Sequence, residues 1–262
     1  MENLRSNTSR HHQLPRLRQL SGSGLTSSSR RSASVRDPGI YFDTDLSMRC
    51  HFQKTAANCF AVLRTQRRIR RSVPTSVYHT LVVALVLSRL DYGNAVLVGL
   101  PAYLYNRLQS VLNAAARPRS IAGLRRSDHI TDTLASFHWL KVPERIQFKQ
   151  ATIVYRSLNG TAPRYLAADL RRLSDMPSRR RLRSSLTDQL DVRQSQCSTV
   201  GDRAFAVAAA RLWNSLPHDI VASDTLSQFR CGLKTFLSRQ SYPSILFQFF
   251  TLWSLQFLLR PR

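Results

Sequence analysis

Along most of the chain, apolar residues recur at helical spacing, and short breaks rich in Pro, Gly and Asn separate one run from the next. The opening pattern differs. Gly39-Ile40-Tyr41-Phe42-Asp43 reads as a short strand ended by a polar turn. Asp45 or Ser47 then stands where it can cap a helix running from Met48 to Arg71, with Phe52, Ala56, Cys59, Phe60 and Leu63 at helical spacing. Pro74 suits the first turn of a second helix reaching about Tyr92. Its middle, Leu81–Leu87, is apolar on every side, which predicts a central core helix. Gly93 and Asn94 mark its end.

Pro101 opens a third helix with Leu104, Leu108, Val111, Leu112 and Ala115 on one side, and Pro118 stops it. A short fourth helix runs from Asp128 through Leu134 to His138. Pro143 opens a fifth, carrying Ile146, Phe148, Val154, Tyr155 and Leu158 and closed by Asn159-Gly160, and Pro163 a short sixth. The pattern lapses over 171–199, where a hairpin is expected near Leu190–Thr199. It resumes from Asp202 to Pro217. A last amphipathic helix spans Thr225–Arg239, with Phe229, Leu233, Phe236 and Leu237 inward. Helix after helix with short links predicts an all-α fold. The expected organisation is a helical domain over 38–170, a basic loop over 171–199, a smaller helical segment over 200–240 and an apolar tail over 241–262. Residues 1–37, rich in Ser and Arg, bury too little to offset chain entropy and are expected to form a disordered arm.

Charge narrows the function classes. Lys and Arg total 39 against 15 Asp and Glu, a formal net charge of +24. Such a chain seeks polyanions, nucleic acid first and anionic membrane second. The only lysines are Lys54, Lys141, Lys149 and Lys234, so arginine carries most of the charge, and arginine suits bidentate phosphate contacts. Two clusters stand out: Arg64, Arg67, Arg68, Arg70 and Arg71 at a helix end, and Arg171, Arg172, Arg179, Arg180, Arg181 and Arg183 in the loop. Both are candidates to neutralise phosphates of RNA or an RNA–DNA hybrid. The competing reading is a solvated charged surface.

Other chemistry is sparse. The 4 cysteines, Cys50, Cys59, Cys197 and Cys231, form no CxxC pair, so neither structural zinc nor a disulfide framework is expected. Asp43 and Asp45 share a spacing that suits a divalent cation, but a polar turn with a helix cap is the simpler reading. His129, His138 and His218 lack partners in any HExxH arrangement; His138 and Trp139 are expected in the core, and Trp213 is expected as a core anchor rather than a base-stacking platform. No cofactor is expected. The first residues lack an apolar signal segment, so a nuclear or cytoplasmic location is expected rather than secretion. Ser244–Leu259 is rich in Phe, Leu and Trp but shorter than a spanning helix and carries Gln248 and Gln256. A docking segment is the first reading of it and a membrane anchor the second.

Several blocks in order carry a resemblance: Ser88-Arg89-Leu90-Asp91-Tyr92-Gly93-Asn94, then Leu108-Gln109-Ser110-Val111-Leu112-Asn113-Ala114-Ala115-Ala116-Arg117, then His138-Trp139-Leu140 with Val142 and Arg145-Ile146. Leu158-Asn159-Gly160-Thr161-Ala162-Pro163 follows, and last come Gly201-Asp202-Arg203-Ala204-Phe205 and Leu212-Trp213-Asn214-Ser215-Leu216-Pro217. In this order and spacing, over about residues 38–240, they resemble the region after the palm in LINE-type non-LTR retrotransposon reverse transcriptases of the chicken-repeat group. Gly93 replaces the family's usual cysteine, and Ala210 its proline. The resemblance implies an RNA-directed DNA polymerase whose palm aspartates hold two divalent metals. No Asp-Asp pair occurs in this chain, so no catalytic residue carries over and no polymerase activity is expected of it alone. What the resemblance implies here is a thumb-like bundle that grips template RNA or hybrid. A domesticated sequence-specific DNA-binding regulator, a membrane-tethered protein and a translated relic without activity remain as alternatives.

Overall fold

The computed structural model describes residues 34–117, 130–176, 188–197 and 199–243. Two short antiparallel strands come first, β1 (Ser34–Asp37) and β2 (Ile40–Asp43), paired Val35 to Phe42 and Asp37 to Ile40. Pro38-Gly39 makes the turn. Gly39 has φ +81°, and a Cβ there would lie 2.5 Å from the Tyr92 ring, so both conformation and space call for glycine. Strand β1 corrects the reading of 1–37 as an arm without structure: its last residues are held by pairing with β2. The rest of that arm, 1–33, lies outside the described residues.

Helix α1 (Arg49–Ile69) follows. Its cap comes neither from Asp45 nor from Ser47. Asp43 Oδ2 accepts from the Cys50 backbone N–H at 3.1 Å and from Ser47 Oγ at 3.0 Å, while Asp45 accepts from Ser47 N–H at 3.0 Å. The two carboxylates are thereby spent on turn and cap. That last bond holds the Asp45 carboxyl below the ordinary carboxylate range.

After α1 the chain reverses into α2 (Thr75–Val82), a π-helical turn (Val83–Leu87) and α3 (Ser88–Asp91). The wide turn changes which carbonyls the helix itself satisfies. Two side chains attend to it: Gln66 Nε2 donates to Leu81 O at 3.0 Å, and the Ser88 hydroxyl donates to Ala84 O. The expectation of an all-round buried helix is corrected here. Val82, Val86, Leu87 and Leu90 are buried, but Val77, Val83 and Leu85 remain 45%, 38% and 42% exposed.

A 3₁₀ turn (Asn94–Leu97) leads to α4 (Ala102–Ala116), which packs on α1, and then come α5 (Ile130–Ser136) and α6 (Val142–Leu158). Helix α5 ends in a Schellman arrangement: His138 N–H donates to Ala135 O and Trp139 N–H to Leu134 O, each at 2.9 Å. His138 takes φ +54° to allow this. It is exposed, not in the core; Trp139 alone turns inward, its ring stacked on His79 at 5.6 Å. His138→Gly is expected to stabilise the fold by up to about 1 kcal/mol, net of glycine's greater freedom when unfolded. Urea denaturation checks it; a loss of stability would show that the imidazole makes contacts worth more than the relieved backbone.

Helix α7 (Arg164–Ala168) and a 3₁₀ turn (Leu173–Asp175) precede the loop; a 3₁₀ turn (Gly201–Arg203), α8 (Phe205–Asn214), α9 (His218–Val221) and α10 (Leu226–Ser241) follow it. Thr225 caps α10, its hydroxyl accepting from Gln228 N–H at 3.2 Å. Among the described residues the hairpin expected near Leu190–Thr199 does not form. Leu190 bridges Arg172 instead. Among the described residues the fold is all-α apart from the small β1–β2 pair.

Two apolar clusters share helix α6. Val142 and Ile146, in its first half, join Phe52, Tyr78, Leu108 and Val111; Ala151, Val154 and Tyr155, in its second half, join Trp213, Phe229, Leu233 and Leu237. The apolar cores therefore divide along one continuous helix.

Candidate nucleic-acid interface

Helix α1 buries Phe52, Ala56, Cys59, Leu63 and Gln66 on one face. The flank of its last turns carries Arg64, Arg67 and Arg68, and Arg71 follows in the turn beyond the helix, all four exposed. Arg64, Arg67 and Arg68, spaced i, i+3 and i+4, line one stripe of the helix, and Arg71 extends the basic group past its end. From Leu46 to Leu90 the chain has no acidic residue, so no neighbour in sequence neutralises the stripe. Arg67 and Arg68, in the last turn, also complement the helix dipole.

Arg70 does not belong with the other four. It follows Leu63 and Gln66 on the inward face. Its guanidinium donates to Thr75 Oγ1 at 2.9 Å and Val73 O at 3.4 Å and lies 5.1 Å from the centre of the buried Tyr78 ring. It holds the turn into α2.

The second basic region is anchored at its base. Asp191 N–H donates to Arg171 O at 2.8 Å, and Leu173 N–H to Gln189 O at 3.0 Å, so the two sides of the loop pair where they leave the fold. Asn214 grips the far side, accepting from Leu190 N–H at 2.8 Å and donating to Leu190 O at 2.9 Å. Trp213 Nε1 adds a bond to Asp188 O at 2.9 Å. Arg171 is exposed; Arg172 pairs with Asp188 at 3.5 Å. Arg179, Arg180, Arg181 and Arg183 lie outside the described residues. The two basic regions sit on different parts of the fold: α1 belongs to the first apolar cluster, and the loop base edges the second.

Elsewhere the polar side chains hold structure. Arg145 on α6 makes a two-pronged pair with Asp91 at the end of α3, with Nε to Oδ1 at 2.8 Å. Gln109 Oε1 accepts from Val142 N–H at 2.9 Å and so caps α6 from α4. Arg203 donates to Leu46 O at 3.0 Å. The Ser195 hydroxyl and then Arg211 hold the Asp202 carboxyl below its ordinary range. Burial pushes the Cys59 thiol up to about 11, against the opposing charge of Arg89, which makes it a poor nucleophile. All four cysteines are free. Among the described residues no three His, Cys, Asp or Glu side chains cluster as metal ligands, and no helix is long and apolar enough to cross a membrane.

Sequence reasoning passed over Arg230 and Lys234, both exposed on α10, a helix that has no acidic residue. The signal was the acid-free stretch from Thr225 onward. It also passed over the Asp91–Arg145 pair, although both residues stand in the blocks quoted above. Comparison with known protein families, curated sequences and solved structures finds no match.

Proposed function

We propose that this chain is the post-palm part of a LINE-type reverse transcriptase and that it holds RNA or an RNA–DNA hybrid by its phosphates. The observation that carries the binding reading is the group Arg64, Arg67, Arg68 and Arg71, exposed along the last turns of α1 and just past its end within an acid-free stretch. Four exposed guanidinium groups match the repeating charge of a nucleic-acid backbone and select no base.

The family reading is supported by how its blocks meet. The Ser88–Asn94 block contacts the Val142–Ile146 block through Asp91 and Arg145. The Leu108–Arg117 block caps the same helix through Gln109. The Leu212–Pro217 block holds the base of the basic loop through Trp213 and Asn214. Three of the blocks that carry the resemblance are thus bonded to one another.

The test is an anisotropy titration of the full chain with labelled single-stranded RNA and with an RNA–DNA hybrid over a range of salt. Binding should be tight at low ionic strength, indifferent to sequence, and weaken steeply as salt rises. Absence of binding at low ionic strength would sink the proposal. A strong preference from a random-site selection would favour a DNA-binding regulator instead.

A further inference from the structure

Helix α1 begins against the β1–β2 hairpin, and His51 sits where they meet. Its side chain is sealed: the residue is only 3% exposed, and Nδ1 is buried with no hydrogen-bond partner among the described residues. The Tyr41 ring of β2 lies 6.4 Å away, and the Phe52 ring meets the imidazole edge-on at 6.3 Å. A neutral ring can keep Nδ1 as an unpaired acceptor. A protonated ring carries an N–H on both nitrogens, so the one at Nδ1 would be shut away from any acceptor, on top of the cost of burying the charge. The neighbouring charges do little to offset this. From β2, Asp43 favours a charged imidazole, but its Oδ2 is already held by Cys50 N–H and Ser47 Oγ. From α1 itself, Lys54 Nζ lies 4.0 Å from the centre of the Tyr41 ring, and from β1 the Arg36 guanidinium lies 5.7 Å from it. Helix α4 presents Tyr105, an uncharged phenol whose ring lies 6.3 Å from Phe52. Burial outweighs Asp43 and holds the imidazole below its ordinary pKa.

We propose that His51 makes the β1–β2 hairpin a pH-sensitive latch, seated on α1 while the imidazole is neutral and released when it takes up a proton and must reach water. The hairpin's ties to the rest of the fold are local. Asp43 bonds to the start of α1, the Tyr92 hydroxyl donates to Pro38 O, and the Cys50 thiol donates to Ser34 Oγ at 3.5 Å. Ile40 and Phe42 pack against the first apolar cluster. Released, the ring has its ordinary pKa of 6.5; seated, a lower one. The latch is therefore at full strength above about pH 6.5 and weakens as pH falls below it. The released population rises by up to about tenfold per pH unit until the seated pKa is reached. The inference does not rest on nucleic-acid binding.

Thiol labelling of the full chain tests it. Cys50, bonded to β1, reports the latch, and Cys59, buried on the same helix, reports opening of the whole core. The exposed Cys197 and Cys231 are first replaced by serine. The chain is then labelled with a dipyridyl disulfide, each rate is divided by that of glutathione at the same pH, and the two sites are separated by mass spectrometry. Between about pH 7.5 and about pH 5.5 the relative rate at Cys50 should rise about threefold to tenfold, while Cys59 stays unreactive. His51→Gln and His51→Phe, neither of which takes up a proton, should each abolish the rise. No rise in the parent chain, or a rise that persists in the two His51 variants, would overturn the proposal. So would a rise shared by Cys59, which would mean that acid opens the core rather than the hairpin.

Discussion

Replacing Trp213 with alanine is expected to lower the free energy of unfolding by about 3–5 kcal/mol. The indole is only 3% exposed and stacks on Phe229 at 5.8 Å, and Phe229 in turn stacks on Tyr155 at 4.4 Å. Those rings come from α8, α10 and α6, so the deletion opens a cavity where three helices meet. The loss is a large fraction of a domain's net stability, which is roughly 5–15 kcal/mol. It also strands a polar group: Asp188 O loses the indole N–H. Trp213→Phe separates the two effects. It keeps most of the ring and gives up the hydrogen bond, so it should cost about 1 kcal/mol from that bond, plus whatever the smaller ring leaves unfilled. Urea denaturation of both variants checks this. A loss below about 1 kcal/mol for the alanine variant would mean that the second cluster is not organised around this ring.

The helices were legible because their punctuation is strong. Pro101, Pro143 and Pro163 stand within the first turn or just before α4, α6 and α7, and Asn159-Gly160 closes α6, as the residue types require. What escaped the sequence was set by contacts between segments far apart. The β1 strand lies in a Ser- and Arg-rich stretch with little strand signal of its own, and Pro38-Gly39 was the one local cue to its pairing. The α1 cap comes from Asp43, outside the few positions that local capping rules consider. The π-helical turn has no marker in an unbroken apolar run; the side chains beside it, Gln66 and Ser88, are ordinary until the fold brings them to Leu81 and Ala84. His138 looked like a core residue because Trp139 beside it is one. The αL geometry that ends α5 turns the two in opposite directions.

The basic clusters were legible as composition, and only one of them as geometry. Periodicity alone would have split the first cluster. Arg64 and Arg68 fall away from Leu63, while Arg70, seven residues on, falls on Leu63's own side and is drawn into the turn. Sequence spacing could not set the second cluster in space, because a loop has no period. Only its base, paired from Arg171–Leu173 to Gln189–Asp191, has a described geometry.

That split makes the interface testable residue by residue. Changing Arg64, Arg67, Arg68 and Arg71 to glutamine should reduce the salt dependence of RNA binding. Each phosphate contact on a single strand contributes about 0.7 to the slope of log affinity against log salt, so losing four should flatten it by about 3. At low salt the affinity should fall on the order of 100-fold or more, and by the same factor for every sequence, because phosphate contacts carry no base information. Stability should barely change, since these side chains are exposed and make no described contact with the core. Arg70→Ala should behave in the opposite way. It removes the bonds to Val73 O and Thr75 Oγ1 and the contact over Tyr78, so it should destabilise the fold by about 1–2 kcal/mol and leave the slope unchanged. An unchanged slope in the quadruple variant would reduce the stripe to a solvated charged face. A loss confined to some sequences would contradict phosphate contact and point to direct reading of bases. A slope change in Arg70→Ala equal to one contact would show that its guanidinium leaves the turn to meet the nucleic acid.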